Sequence, residues 1–248
     1  MRYLILSDIH SNLEALEKSL KLAEGQYDQV LCLGDLVGYG PDPNAVISRI
    51  RPLAGAIVRG NHDKACCGLM GAGDFNFLAR AATDWTRARL TPEHIEFLRG
   101  LPSGPVQIDG VELVHGSPVD EDEYIFDSLE AAQAFRVAGA PLVFFGHSHR
   151  QGGFLLTADK RLQPIPLAAI KDDGSASLAL QQGVRYLINP GSIGQPRDGD
   201  WRAAFAILDR DRNRVDFYRT PYGLAATQEK MRKEGLPGPL IARLEAGR

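Results

Sequence analysis

The chain has 248 residues, of which 44% are hydrophobic and 24% charged, and this composition excludes a disordered protein. Lys and Arg number 28 against 31 Asp and Glu, so the formal net charge of −3 disfavours nucleic acid as an obligatory partner. The longest apolar stretch, residues 141–145, is far shorter than a membrane helix, so we expect no membrane association. Three cysteines without a CxxC spacing and the absence of a signal-peptide pattern predict a cytoplasmic protein.

The first part of the chain alternates short apolar runs with amphipathic segments. Apolar runs at residues 3–6, 30–33 and 56–58 predict three buried strands. The segments between them predict helices, the first from Asn12 to Gly25 and the second over residues 44–51. This order indicates parallel βαβ units in an α/β fold.

The rest of the chain begins with helix and changes to short strands. The predicted elements are helical residues 74–100, strands at 105–108 and 111–114, a helix at 128–138, and strands at 142–145, 153–157, 162–167, 184–188, 203–208 and 214–219. We expect the strands after residue 150 to form a second, mostly antiparallel sheet packed on the first. The tail from about residue 221 predicts one or two amphipathic helices. No long linker or repeat interrupts the sequence, which predicts a single domain over residues 1–248.

Polar side chains with metal-binding chemistry follow most of these strands. Five histidines, two aspartates and one asparagine do so: His10, His62, His115, His147, His149, Asp8, Asp35 and Asn61. Since the carboxyl ends of parallel strands meet at one edge of a sheet, we expect these side chains to converge there. The i, i+2 spacing of Asp8 and His10 also directs both side chains to one side of an extended backbone. His94 lies in a predicted helix instead, and we expect it to be solvated.

This cluster of imidazoles and oxygen ligands predicts a metal centre. Partly buried carboxylates and imidazoles are costly unless they coordinate cations. Nitrogen and oxygen ligands without thiolate suit manganese, iron or zinc better than calcium or magnesium. The candidate ligands number about seven, more than one tetrahedral ion uses, and Asp35 can bridge two ions. We therefore expect two divalent transition-metal ions.

Five segments in order resemble the calcineurin-like metallophosphoesterases, in particular their bacterial phosphodiesterase-like branch. They are Asp8-Ile-His10, Gly34-Asp35, Gly-Asn-His-Asp at 60–63, His115-Gly116 and Gly-His-Ser-His at 146–149. The similarity runs from residue 4 to about residue 209 and includes Asn-Pro-Gly-Ser at 189–192. It implies the metallo-dependent phosphatase fold, a four-layer αββα sandwich of two mixed sheets flanked by helices.

The resemblance also implies a ligand set for each metal and a reaction. One metal would take Asp8, His10, Asp35 and His149, and the other would take Asp35, Asn61, His115 and His147. A hydroxide that bridges the two metals would attack phosphorus, so the protein would be a phosphoric ester hydrolase. The protein-phosphatase branch carries an Asp-Arg pair where this chain has Gly38-Tyr39, which argues against phosphoprotein phosphatase activity.

Two residues beside the predicted ligands are candidates for the catalytic chemistry. His62 is not assigned to a metal, and it can protonate the leaving oxygen or stabilise the transition state. Asp63 either orients His62 or caps the helix that begins there. Asn61 and His62 are also expected to contact the substrate.

Two loops are candidates for substrate recognition. Tyr39 follows the bridging Asp35 and either stacks on a base or packs against the protein. Arg197 either contacts a phosphate or forms a surface salt bridge with Asp198 or Asp200.

The sequence therefore favours a phosphoesterase acting on phosphodiesters or nucleotide-type phosphate esters. A dinucleoside polyphosphate hydrolase and a phosphomonoesterase with the same site remain alternatives. A non-catalytic binding module on the same fold would be expected to lack ligands, and a nuclease would be expected to be more basic. The expected partner is a small phosphorylated substrate, and the oligomeric state is open, with a homodimer as one option.

Overall fold

The computed structural model describes residues 1–71, 73 and 75–248. Its helices are α1 (Leu13–Ala23), α2 (Pro43–Ile50), α3 (Asn61–Cys67), α4 (Phe77–Arg87), α5 (Pro92–Arg99), α6 (Ser128–Val137), α7 (Leu224–Lys233) and α8 (Gly238–Ala246). Its strands are β1 (Arg2–Leu6), β2 (Gln29–Cys32), β3 (Ala54–Ile57), β4 (Val106–Ile108), β5 (Val111–Leu113), β6 (Leu142–Phe144), β7 (Gly152–Leu156), β8 (Leu162–Pro164), β9 (Ser175–Ala179), β10 (Arg185–Asn189), β11 (Ala203–Asp209) and β12 (Arg214–Thr220). None of the described helices is both long and apolar enough to cross a bilayer.

The strands form two mixed sheets of six strands each within the described residues. The first has the order β3-β2-β1-β11-β12-β9, with β1, β2 and β3 parallel and the other pairs antiparallel. The second has the order β4-β5-β6-β10-β7-β8, with β5, β6 and β10 parallel. The sandwich expected from the resemblance is thus confirmed.

Alternating side chains of the central strands supply two different core layers. In β1, Tyr3 and Ile5 face the second sheet and pack with Leu113 and Phe144. Leu4 and Leu6 face the other way and pack beneath α1 and α2. The outer face of the second sheet is covered by α6. A strand buried on both faces needs apolar residues at every position, and β1 has them over residues 3–6.

The structure corrects three expectations. The strands after residue 150 do not form one sheet: β7, β8 and β10 join the second sheet, whereas β9, β11 and β12 extend the first. Strand β9 was not predicted, because its alternating Ser and Ala residues carry little hydrophobic signal. The helical stretch expected over 74–100 is confirmed as α4 and α5, and its first position lies outside the described residues. His94 is buried and not solvated, with Nδ1 2.7 Å from Asn44 Oδ1.

Candidate metal centre

The predicted ligands come from loops that follow five strands at one edge of the sandwich. Asp8 follows β1 and Asp35 follows β2, both in the first sheet. His115 follows β5 and His147 follows β6, both in the second sheet. The two sheets therefore contribute opposite sides of one site.

The backbone of these loops adopts a conformation that L-residues rarely take. Asp8, His10, Asp35, His147 and His149 all have positive φ, between 48° and 62°. Such residues cost about 1–3 kcal/mol each and persist where surrounding structure imposes them. The side chains of Asp8 and His10 do converge, but through left-handed turns and not through the extended backbone that the i, i+2 spacing suggested.

The four histidines in these loops are each held by one backbone carbonyl. The Nδ1 atoms of His10, His115 and His149 lie 3.0, 2.7 and 2.6 Å from the carbonyl oxygens of Val37, Leu33 and Gln195. For His147 it is Nε2 that lies 3.0 Å from the Asp122 carbonyl oxygen. A carbonyl only accepts, so the facing nitrogen carries the proton in every ring. The other nitrogen is left with a lone pair directed into the site, the arrangement typical of metal-bound imidazole.

Within the site these lone pairs face one another. His10 Nε2 lies 3.2 Å from His149 Nε2, and His115 Nε2 lies 3.2 Å from His147 Nδ1. Two unprotonated nitrogens cannot form a hydrogen bond, so each pair repels unless a cation lies between its members. The donor set thus fits two cations, one at each histidine pair.

Asp35 lies between the two histidine pairs. Its Oδ1 accepts a hydrogen bond from the His62 backbone N–H at 2.9 Å. Its Oδ2 has no hydrogen-bond partner among the described residues, although it is buried and lies 3.4 Å from His10 Nε2 and 3.5 Å from His115 Nε2. A buried carboxylate oxygen without a donor is costly, and a cation on each side would satisfy it.

Potential ligand atoms fall into two groups that share this carboxylate. The atoms of each group lie within 4.8 Å of one another: Asp8, His10, Asp35 and His149 form one group, and Asp35, His115 and His147 form the other. Asn61 joins the second group, with Oδ1 3.3 Å from His115 Nε2. The structure therefore brings together all seven residues that the sequence predicted as ligands.

Two glycines allow the backbone to pass close to the side chains of the site. A Cβ atom at Gly60 would lie 2.0 Å from Asp35 Oδ1, and one at Gly146 would lie 2.1 Å from Ser7 Oγ and 3.0 Å from Asp8 Oδ2. Neither position can hold a larger residue without displacing the side chain of Asp35 or of Ser7. The glycines that open the Gly-Asn-His-Asp and Gly-His-Ser-His segments thus have a steric reason.

Burial shifts the ionisation of the site in the metal-free protein. It raises the pKa of Asp8 to about 7 and that of Asp35 well above its usual range. It lowers the pKa of His10, His147 and His149 well below the usual value, so these rings are neutral near pH 7. Neutral imidazoles are ready to bind a cation, whereas the carboxyl groups must release protons to do so.

Comparison with known proteins places this geometry in a family. The family model described as calcineurin-like phosphoesterase superfamily domain matches residues 1–213. The chain belongs to that superfamily. An uncharacterised protein of Methanocaldococcus jannaschii, MJ0912, is 34% identical over 98% of this chain and 97% of its own length.

Solved structures agree with the superfamily assignment. A metallophosphoesterase from Sphaerobacter thermophilus is 41% identical, with a TM-score of 0.85 over 100% of this chain and 99% of that one. The hypothetical protein PH1004 from Pyrococcus horikoshii has a TM-score of 0.79 at 23% identity, over 100% and 98% of the two chains. The second likeness shows the fold alone.

In this calcineurin-like chain His62 lies beside the ligand groups and outside them. Its ring is buried against Tyr39 and Phe75, with centroids 4.4 and 4.6 Å away, and meets His10 edge-on at 4.9 Å. Its Nδ1 has no hydrogen-bond partner among the described residues. Asp63 does not orient this ring, because its oxygens accept from the backbone N–H groups of Val37 and Gly60. Asp63 therefore caps α3, and the expectation that it orients the His62 ring is wrong.

Tyr39 and Arg197 both lie next to the site. The Tyr39 ring is 5% exposed and lies 4.7 Å from the His10 ring, so it packs against the ligands. Arg197 donates from Nη2 to Gln195 Oε1 at 3.0 Å and to the Tyr39 hydroxyl at 3.4 Å. The surface salt bridge considered for Arg197 does not form, because Asp198 and Asp200 pair with other arginines.

Two contributors to the site were not predicted. Gln195 holds His149 through its carbonyl and holds Arg197 through its side chain. Arg243 of α8 also donates to Gln195 Oε1, and its guanidinium carbon lies 4.6 Å from the centroid of the Tyr39 ring. A single arginine on an amphipathic helix gives no signal of this kind, because only the tertiary fold brings α8 to the site.

Proposed function

We propose that this protein hydrolyses phosphodiesters or nucleotide-type phosphate esters at a two-metal centre of manganese, iron or zinc. Membership of the calcineurin-like phosphoesterase superfamily supports phosphoester chemistry. The observation that carries the proposal is Asp35 Oδ2, a buried oxygen without a donor that lies between two groups of ligand atoms. One bridging carboxylate between two cation positions is the arrangement of two-metal hydrolytic sites.

Each predicted ligand would bind one or both of the cations. One cation would be bound by Asp8, His10 and His149, and the other by Asn61, His115 and His147. Asp35 would bind both. When bound, two cations supply an activated water and neutralise charge on the phosphoryl oxygens. The chain itself fixes the ring orientations through four backbone carbonyls. This preorganisation means that little reorientation is needed during the reaction.

His62 and Arg197 are proposed to act on the substrate directly. His62 lies beside the ligand groups and outside them, and its ring can contact the leaving oxygen or a charged oxygen of the transition state. Arg197 follows the loop that holds His149, and its backbone N–H donates to the His149 carbonyl at 3.1 Å. Its guanidinium can form charge-assisted hydrogen bonds to a phosphate.

A panel of substrates on manganese-reconstituted protein tests this function. The panel comprises a bis-aryl phosphodiester, an aryl phosphomonoester, cyclic nucleotides and dinucleoside polyphosphates. We expect metal-dependent hydrolysis of the diester to exceed that of the monoester. The matched control is Asp35→Asn, which removes the shared charge while keeping the side-chain shape. A protein that binds metal and hydrolyses none of these compounds would contradict the proposal and favour a binding module on the same fold.

A further inference from the structure

Two arginines from distant parts of the chain lie beside the metal centre. Arg197 lies in the loop after β10, and Arg243 lies on α8 near the end of the chain. Their guanidinium carbons lie 5.7 and 4.6 Å from the centroid of the Tyr39 ring. That ring in turn contacts the rings of His10 and His62, at 4.7 and 4.4 Å. One aromatic ring therefore separates the two guanidiniums from the metal centre.

No carboxylate of the described residues pairs with either guanidinium, although most arginines near this surface are paired. Both donate instead to one neutral acceptor, Gln195 Oε1. The Nε atom of each is buried and has no hydrogen-bond partner within the described part of the chain. Buried N–H groups without an acceptor are costly, so two adjacent guanidiniums that share one neutral acceptor indicate a site for an anion.

The electrostatic surroundings agree with this geometry. Burial lowers the pKa of Arg243, and the nearby positive charge of Arg197 lowers it further. The two guanidiniums place two positive charges beside the metal centre. A phosphodiester carries only one negative charge, so a substrate of that kind leaves most of this positive charge uncompensated. A second phosphoryl group would compensate it.

We propose that Arg197 and Arg243, with Tyr39 between them and the metal ligands, form a second anion subsite for a phosphoryl group linked to the scissile one. The inference rests on the proposed phosphoesterase function and narrows its substrate class. That class is a small molecule with at least two linked phosphoryl groups, such as a nucleoside diphosphate derivative or a dinucleoside polyphosphate. Arg243 is the specificity-determining residue, because it is the more distant of the two from the ligand loops.

Binding of two phosphonates that are not hydrolysed tests the subsite without relying on turnover. Methylenediphosphonate carries two linked phosphoryl groups, and methylphosphonate carries one. Dissociation constants are measured by calorimetry on manganese-loaded protein, with Arg243→Gln as the test variant. The control is Arg232→Gln, since Arg232 is an exposed arginine of α7 that pairs with Glu229. Metal content and the unfolding midpoint are measured for every variant.

We expect Arg243→Gln to weaken methylenediphosphonate binding by about tenfold to a hundredfold, the usual effect of a lost hydrogen bond to a charged group. Methylphosphonate binding and metal content should stay unchanged in this variant. Arg232→Gln should change the dissociation constant of neither phosphonate. Arg243→Lys keeps the charge and the aliphatic chain, so it should bind methylenediphosphonate more tightly than Arg243→Gln does. It replaces Arg243→Gln as the test variant if the Gln variant does not fold. Arg197→Gln should likewise weaken binding of the diphosphonate more than of the monophosphonate.

Equal weakening of both probes, or weakening of neither, would overturn the inference while leaving the proposed function intact. Failure of the proposed function gives a different result. The unmodified protein would then hydrolyse no phosphate ester, although Arg243→Gln would still change the binding of one probe and not the other.

Discussion

At the scale of single residues, the four histidines of the metal centre are all oriented in the same way. Each is oriented by a main-chain carbonyl and not by a carboxylate, as His10 and His115 show with Val37 and Leu33. A carbonyl fixes the tautomer without adding negative charge beneath the ring. Within the described residues, the carboxylates of the two ligand groups are Asp8 and Asp35.

The shared position of Asp35 predicts a difference between two substitutions. Asp35→Asn should weaken both metal sites by more than the roughly 10- to 100-fold that follows loss of an outer partner. His10→Ala removes a ligand of one group only, so it should mainly lower the first site's occupancy. Manganese content after removal of excess metal measures both effects. Retention of full metal by Asp35→Asn would contradict the bridging role.

His62 predicts a separation of metal binding from turnover. His62→Ala should keep its metal, because the ring lies outside both ligand groups. It should lose about 10²- to 10⁴-fold in kcat if the ring acts as a general acid. The loss should shrink with leaving groups of low pKa, since these need little protonation.

The control for this experiment is the dependence on leaving group itself. A packing role would give a modest activity loss that follows the unfolding midpoint and is equal for all leaving groups. A large loss that does not vary with leaving group would exclude proton donation and indicate electrostatic stabilisation. Loss of metal from His62→Ala would show that the ring supports the ligands instead.

At the scale of elements, the start of α3 connects the two ligand groups. Gly60 precedes the helix, and the backbone N–H of His62 in its first turn donates to Asp35 Oδ1. Asp63 Oδ2 accepts a hydrogen bond from the Gly60 N–H, and this capping interaction stabilises the turn. A short helix is therefore held at its N-terminal end by the same carboxylate that both metals would share.

This geometry predicts that Gly60→Ala damages the centre. The added Cβ would lie 2.0 Å from Asp35 Oδ1, so either the helix or the carboxylate must move. We expect a loss of about 1–3 kcal/mol in the free energy of unfolding, typical of overpacking, together with reduced metal content. Gly238→Ala is the control, because a Cβ at this position of α8 meets nothing within 4 Å. Equal behaviour of the two variants would show that the close approach is not required.

Sequence reasoning located the elements better than their arrangement. The runs that became β1 and β2 were evident because buried strands need continuous apolar residues, and the polar residues after them marked the site. The division of later strands between two sheets was missed, since β7 and β11 carry the same kind of pattern. The positive φ of Asp8 and the approach of Arg243 were not predictable either, because distant contacts impose both.

At the scale of the whole molecule, metal binding and folding should be coupled through pH. Burial raises the pKa of Asp8 to about 7 in the metal-free protein, so the folded chain holds a proton that the unfolded chain releases near its usual value of 3.8. Ionised Asp8 therefore costs stability, and that cost grows as pH rises from about 3.8 to about 7 and stays constant above it. A bound cation removes this cost because it pairs with the carboxylate.

We accordingly expect the increase in unfolding midpoint caused by manganese to grow between about pH 5.5 and about pH 7. The buried histidines add little to this trend, because their lowered pKa keeps them neutral over that range. Thermal unfolding with and without manganese at several pH values measures it. An increase that is constant over this range would contradict the assignment of Asp8 as a ligand.

The central claim is that two ligand groups share Asp35 and hold two cations in each chain. Elemental analysis of protein reconstituted with manganese, and then freed of excess metal, tests it most directly. The two groups of ligand atoms around Asp35 predict a value that approaches two equivalents per chain. A value that stays at one or below under saturating manganese would contradict the two-metal centre.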